Sequence, residues 1–252
     1  MNRVGTLAAL AIAACGSRPP DEAAFAKAQA FEQDRTTTAS QSAFTYGLFL
    51  RDFPGSPLAD QARAAITRVS TAGADQYGEA AIAAGAAPET IAAMQRLCIA
   101  AGERYHNLAI PARVEASGDP ELVAAGGGPS IESIATGSGK PCEPTSPDAH
   151  STGDGPALLI RYRATASGQA FVGNDNLPVD GITLTYAVEL DLGDGAPPME
   201  ILTGESVPPP DVLAKVQATA DREAYVRAVR YAIIRAAATN IELTVQHRLG
   251  FR

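Results

Sequence analysis

Three cysteines and three histidines are the most reactive side chains in this chain of 252 residues. Cys15 closes an uncharged stretch, Val4 to Ala14, that follows Arg3. A short positive start, an apolar run and small residues before the break read as a secretory signal peptide, cleaved just before the cysteine. Eleven residues are too few to cross about 30 Å of hydrocarbon. His106, His150 and His247 lie far apart, and none has a second His or a Cys at metal-ligand spacing. Gly137-Ser138-Gly139-Lys140 resembles a phosphate loop only at first sight, because Ile134 and Pro141 replace its required Gly and Ser/Thr. The chain has no G-x-S-x-G elbow and no C-x-x-C pair. Cys98 lies between Leu97 and Ile99, which is not the positive, partly exposed setting a reactive thiol needs. Asn174-Asp175-Asn176 with Asp180, and Asp191 with Asp194, offer calcium-type ligands, but turn chemistry explains them and their spacing fits no calcium loop. No cofactor and no metal site is expected.

Ile12-Ala13-Ala14-Cys15 resembles the lipobox of bacterial lipoproteins: a bulky aliphatic, two small residues and a cysteine. The resemblance covers the first fifteen residues. It implies a diacylglyceryl thioether on Cys15, removal of residues 1–14, and often a third chain, such as palmitate, on the new amine. One acyl chain holds a protein only marginally, whereas two or more anchor it stably. Gly16, rather than aspartate, follows the cysteine. In double-membrane bacteria that resembles cargo sent to the outer membrane, facing the periplasm.

With Cys15 lipidated, Cys98 and Cys142 remain. In an exported, oxidising compartment two such thiols suggest one disulfide, and closing that loop would stabilise the fold by roughly 4 kcal/mol. A buried, reduced Cys98 is the alternative. The formal charge is −8, and −9 once Arg3 is removed, which disfavours nucleic acid. Trp is absent and aromatics make up 6%, so broad stacking platforms are not expected. No later stretch is long and apolar enough for a second membrane span.

The elements that would position these groups fall into two regions. Residues 15–20 form a short tether, and residues 21–117 read as helical. Helices are expected over Asp21–Asp34, over Thr38–Asp52, after Ser56-Pro57, and over Pro88–His106. In the second of these Phe44, Leu48 and Phe49 fall at helical spacing, with Tyr46, Leu50 and Phe53 widening the apolar face. Tyr46-x-x-Phe49-Leu50-x-x-Phe53-Pro54-x-Ser56-x-x-Ala59-x-x-Ala62 resembles the helix–turn–helix of tetratricopeptide-like envelope lipoproteins. That resemblance implies a partner-binding surface carried by Tyr46, Phe49 and Phe53.

Residues 118–155 form a Gly/Pro-rich loop. Residues 156–252 carry strands at Leu158–Phe171 and Ile182–Leu192, a third short strand near Met199–Thr203, and a helix from about Asp221. The alternation of Ile182, Leu184, Tyr186, Val188 and Leu190 gives a one-sided sheet that needs a cover, which Val229 and Ile233 of the last helix can supply; an interfacial membrane helix, basic and amphipathic, is the alternative for that element. Arg161 or Arg163 can pair with Glu189 or Asp191 across strands. The expectation is an α+β protein: N-terminal helical hairpins, then a small antiparallel sheet covered by a C-terminal helix. Its expected role is that of a lipid-anchored envelope protein binding an envelope protein partner without catalysis. A carrier of lipid or another apolar ligand between sheet and helix, and a hydrolase built from scattered carboxylates, are the alternatives.

Overall fold

The computed structural model describes residues 18–124, 126–135, 139–146, 154–172, 178–208 and 221–252. The lipobox with Cys15, His150 and Asn174-Asp175-Asn176 lie outside them. Four helices come first: α1 (Pro20–Gln33), α2 (Ala39–Asp52), α3 (Ala59–Ala83) and α4 (Pro88–Tyr105). Asp21 and Glu22 in the first turn of α1 face the positive end of the helix. Thr38 caps α2 through a capping box: its hydroxyl accepts from the Gln41 amide at 3.2 Å, and the Gln41 side chain accepts from the Thr38 amide at 2.9 Å. Phe53-Pro54-Gly55 breaks the helix, as expected. The Ser56 hydroxyl then accepts from the Leu58 amide and donates to Asp21, tying the α2–α3 turn to the start of α1.

Small residues let these helices approach. Ala62, Ala65, Gly73, Ala74, Gly78 and Ala81 all lie on the buried side of α3. Phe25, Tyr46, Phe49 and Ile66 close one core between α1, α2 and α3. A second, larger core runs without a break from α3 and α4 through the sheet to the last helix.

The strands are β1 (Ile110–Gly118), β2 (Pro144–Thr145), β3 (Ala157–Val172), β4 (Pro178–Asp191) and β5 (Met199–Ser206). They form one sheet in the order β2-β1-β3-β4-β5. The α+β class is therefore as read from the sequence, with one difference in detail. The sheet is mixed: β3, β4 and β5 are antiparallel, while β1 runs parallel to both β2 and β3. β1 falls inside the stretch read as helical. Its apolar face, Ile110-x-Ala112-x-Val114, is too short and too small to stand out in sequence.

The inner face is formed by Leu158, Ile160, Leu184 and Val188, all fully buried. It is covered by α7 (Arg222–Arg248), whose Val229, Ile233, Ala237 and Ile241 are fully buried in the same core. Asp221 caps α7 by accepting from the Glu223 and Ala224 amides. On the outer face Arg161 pairs with Glu115 at 2.8 Å and with Glu189. Such exposed pairs contribute about 0–1 kcal/mol each.

The stretch 118–155, read as a loop, carries α5 (Pro120–Ala124), α6 (Ile131–Ile134) and β2. Leu122, Ile131 and Ile134 bury into the main core. Glu242 of α7 accepts from the Ser130 amide and from Arg235, which also donates to the Gly128 carbonyl. Cys98 of α4 is bonded to Cys142, with Cα atoms 5.1 Å apart, so the segment leading into β2 is fastened to α4. Among the described residues no helix is long and apolar enough to cross a membrane.

Candidate functional site

The residues expected to bind a partner are largely internal. Tyr46 is fully buried and Phe49 nearly so, both stacked around Phe25 at 5.9 and 5.4 Å. The Tyr46 hydroxyl donates to Glu32 at 2.6 Å, and Arg68 clamps the same carboxylate at 2.8 and 2.9 Å. Burial first, then the neighbouring carboxylate, pushes the Tyr46 hydroxyl well above its ordinary range. Phe53 is half-buried against Phe49. Tyr46 and Phe49 therefore hold α1 to α2, which corrects the surface role expected of them. Apolar residues surround α2, and the stripe left outside is the other one. Phe44 is 55% exposed and Leu48 is half-buried.

That outer stripe forms one wall of a groove of about 820 Å³. The end of α4, the turn into β1 and the start of β1 form its floor, and Thr145 of β2 lines it opposite. A smaller hollow of about 400 Å³ continues it past Phe44, Leu48 and Asn107 to Phe31, which is 40% exposed.

The floor is built tightly. His106 caps α4 in the left-handed conformation (φ 56°), donating its amide to the Gly102 carbonyl at 2.9 Å. Histidine tolerates this region better than most side chains. Gly47 on α2 leaves the room for its ring. The Asn107 side chain accepts from the Ser40 hydroxyl at 2.7 Å and from the Ala109 amide at 3.0 Å. Leu108, fully buried, sits where a β-carbon on Gly73 would overlap it. The Leu108 carbonyl accepts from the Cys142 amide at 3.0 Å, and Glu143 accepts at its carbonyl from Ile110. The disulfide and this short ladder set the β2 wall against the floor.

The groove is cationic. Arg51 from the last turn of α2 and Arg104 from the last turn of α4 line it together with His106. Arg51 also pairs with its exposed neighbour Asp52 at 2.9 Å. No Asp or Glu lines the groove among the described residues, in a chain whose net charge is −8. Burial pushes the His106 imidazole below its ordinary value, so at neutral pH the two arginines carry the charge. Nothing in sequence marks these arginines apart from the others.

Among the described residues, the three carboxylates with displaced acidity are all displaced downward. The Ser56 hydroxyl lowers Asp21, the Thr36 amide and hydroxyl lower Asp34, and the Ser130 and Ser146 hydroxyls pull Glu132 down to about 2. General acid catalysis by a carboxyl needs the opposite shift. Among the described residues no His, Cys, Asp and Glu side chains gather in threes to hold a metal. The space between sheet and α7, expected for an apolar ligand, is filled by Leu184, Val188, Val229 and Ile233.

No protein family, no curated protein and no solved structure matches this chain.

Proposed function

We propose that this is a lipid-anchored bacterial envelope protein that binds another envelope protein without catalysing a reaction. Lipid on Cys15 holds it to the membrane, as the lipobox resemblance of Ile12-Ala13-Ala14-Cys15 implies, and Gly16 after the cysteine supports the outer membrane, periplasmic side. The observation that carries the binding role is the open groove between α2 and the β1–β2 edge. There exposed Phe44 and half-buried Leu48 stand beside two arginines, and no acid lines the groove among the described residues. Exposed aromatic and Arg side chains on a rigid floor are the composition of interaction sites. The consecutive short-linked helices α1–α4 support the same reading, since they give α2 a stable backing.

The test is photocrosslinking in living cells from the tagged full chain, with the crosslinker placed at Leu48 and, in a separate strain, at exposed Ile82 on α3. One dominant envelope protein captured from Leu48 and not from Ile82 is expected. Equal capture from both positions, or none from Leu48, overturns the reading.

A further inference from the structure

The groove also specifies the chemistry of what fills it. Phe44, Leu48 and Arg51 follow one another on α2 at spacings of four and three residues, which puts them on one face. The rise from Phe44 to Arg51 is about 10 Å, or roughly three residues of an extended chain. The apolar end, continued by Phe31, has no charged lining residue. The other end holds Arg51 and Arg104. Arg104 has no carboxylate partner among the described residues, and Arg51 has only Asp52, exposed and outside the groove. Of the hydroxyls on the far wall, Ser146 already donates to Glu132 at 2.6 Å. Glu132 is exposed and accepts from both Ser130 and Ser146, and it is not among the residues lining the groove.

We propose that the groove takes an extended, acidic segment of the partner protein. One of its aromatic or aliphatic side chains lies against Phe44 and Leu48, and a carboxylate about three residues further on lies against Arg51 and Arg104. Two guanidinium groups in a groove that no acid lines are a ready binding site for carboxylates, which accept from their paired N–H donors. An open groove with a separate apolar end suits a peptide better than a bare anion, which would use only the arginines. The proposal rests on the partner-binding reading. A crosslinked partner whose contacting segment is basic or uncharged would leave that reading in place and remove this one.

The experiment is fluorescence anisotropy on the detergent-solubilised full chain. The probe is a fluorescein-labelled peptide with one phenylalanine flanked by glutamates; its control carries lysine at every glutamate. Saturable binding of the acidic peptide is expected, with the lysine peptide at least tenfold weaker. Arg51→Glu with Arg104→Glu reverses that order, and Phe44→Ala weakens the acidic peptide at least fivefold. All three are exposed residues, and an unchanged thermal transition verifies that each variant folds. Absence of saturable binding, equal binding of the two peptides, or indifference to the arginine reversal overturns the proposal. Phosphatidylglycerol in mixed micelles serves as competitor: displacement of the peptide by it assigns the groove to lipid headgroups instead and equally overturns it.

Discussion

The imidazole of His106 lies on the bare backbone of Gly47. A β-carbon on Gly47 would stand 2.5 Å from both Cβ and Nδ1 of His106. Helix α2 and the turn from α4 into β1 therefore meet as closely as glycine permits, and that contact fixes the floor of the groove. Gly47→Ala is expected to destabilise the fold by about 1–3 kcal/mol, the usual cost of forcing atoms into a filled site. A urea midpoint equal to that of the unaltered protein would contradict the contact.

The same histidine makes stability depend on pH. Burial lowers its folded pKa below the unfolded value of 6.5, so the unfolded chain binds the proton more readily. Its contribution is complete above 6.5 and declines as pH falls below that value toward the folded pKa. Arg51, Arg63 and Arg104 stand around it, with Glu103 the nearby acid. His106→Asn keeps a residue suited to the left-handed conformation. It is expected to flatten the fall in melting temperature between about pH 7 and pH 5. An undiminished slope in the variant would assign the dependence to other groups.

Removing the Cys98–Cys142 bond frees the segment that forms the β2 wall. In the chain-entropy account a loop of this length contributes about 4 kcal/mol. Cys98→Ala with Cys142→Ala is expected to lose most of that in chemical unfolding and to weaken binding at the groove as well. Equal stability of the reduced and oxidised protein would show that the bond constrains nothing.

Glu242 is only 3% exposed and has the Arg235 guanidinium at 2.7 and 2.9 Å. Arg235→Ala strands that carboxylate with the Ser130 amide alone. The expected loss is about 3 kcal/mol, with the stretch around Gly128 to Ile134 exchanging its amide hydrogens faster. Replacing both together, Arg235→Met with Glu242→Leu, is expected to cost less than the single change. Loss of the same size in both variants would mean the charge pairing is incidental.

Much of this fold is legible in sequence because its signals are local. Thr38 and Gln41 announce α2, Phe53-Pro54-Gly55 ends it, and the alternation from Ile182 to Leu190 marks β4 together with its need for a cover. The rest depends on partners distant along the chain. β1 becomes a strand because β2 and β3 flank it, although its own Ile110-Pro111-Ala112 gives little β signal. The stretch from 118 to 146 looks like a loop by composition, yet Leu122, Ile131 and Ile134 are claimed by α7 and the core. The site was hidden for a related reason. Helix α2 is apolar on two sides, and sequence periodicity does not say which side α1 and α3 will cover. They take Tyr46 and Phe49, leaving Phe44 and Leu48 outside.

The most direct test of the account is the mass of the N-terminal peptide from the protein extracted with detergent from membranes. On the proposed reading, a lipid anchor would set the compartment in which the disulfide forms and a partner is met. A peptide beginning at Cys15 and carrying a diacylglyceryl thioether is the predicted result. An unmodified peptide beginning at Met1 would contradict the anchor, and with it the placement in the envelope.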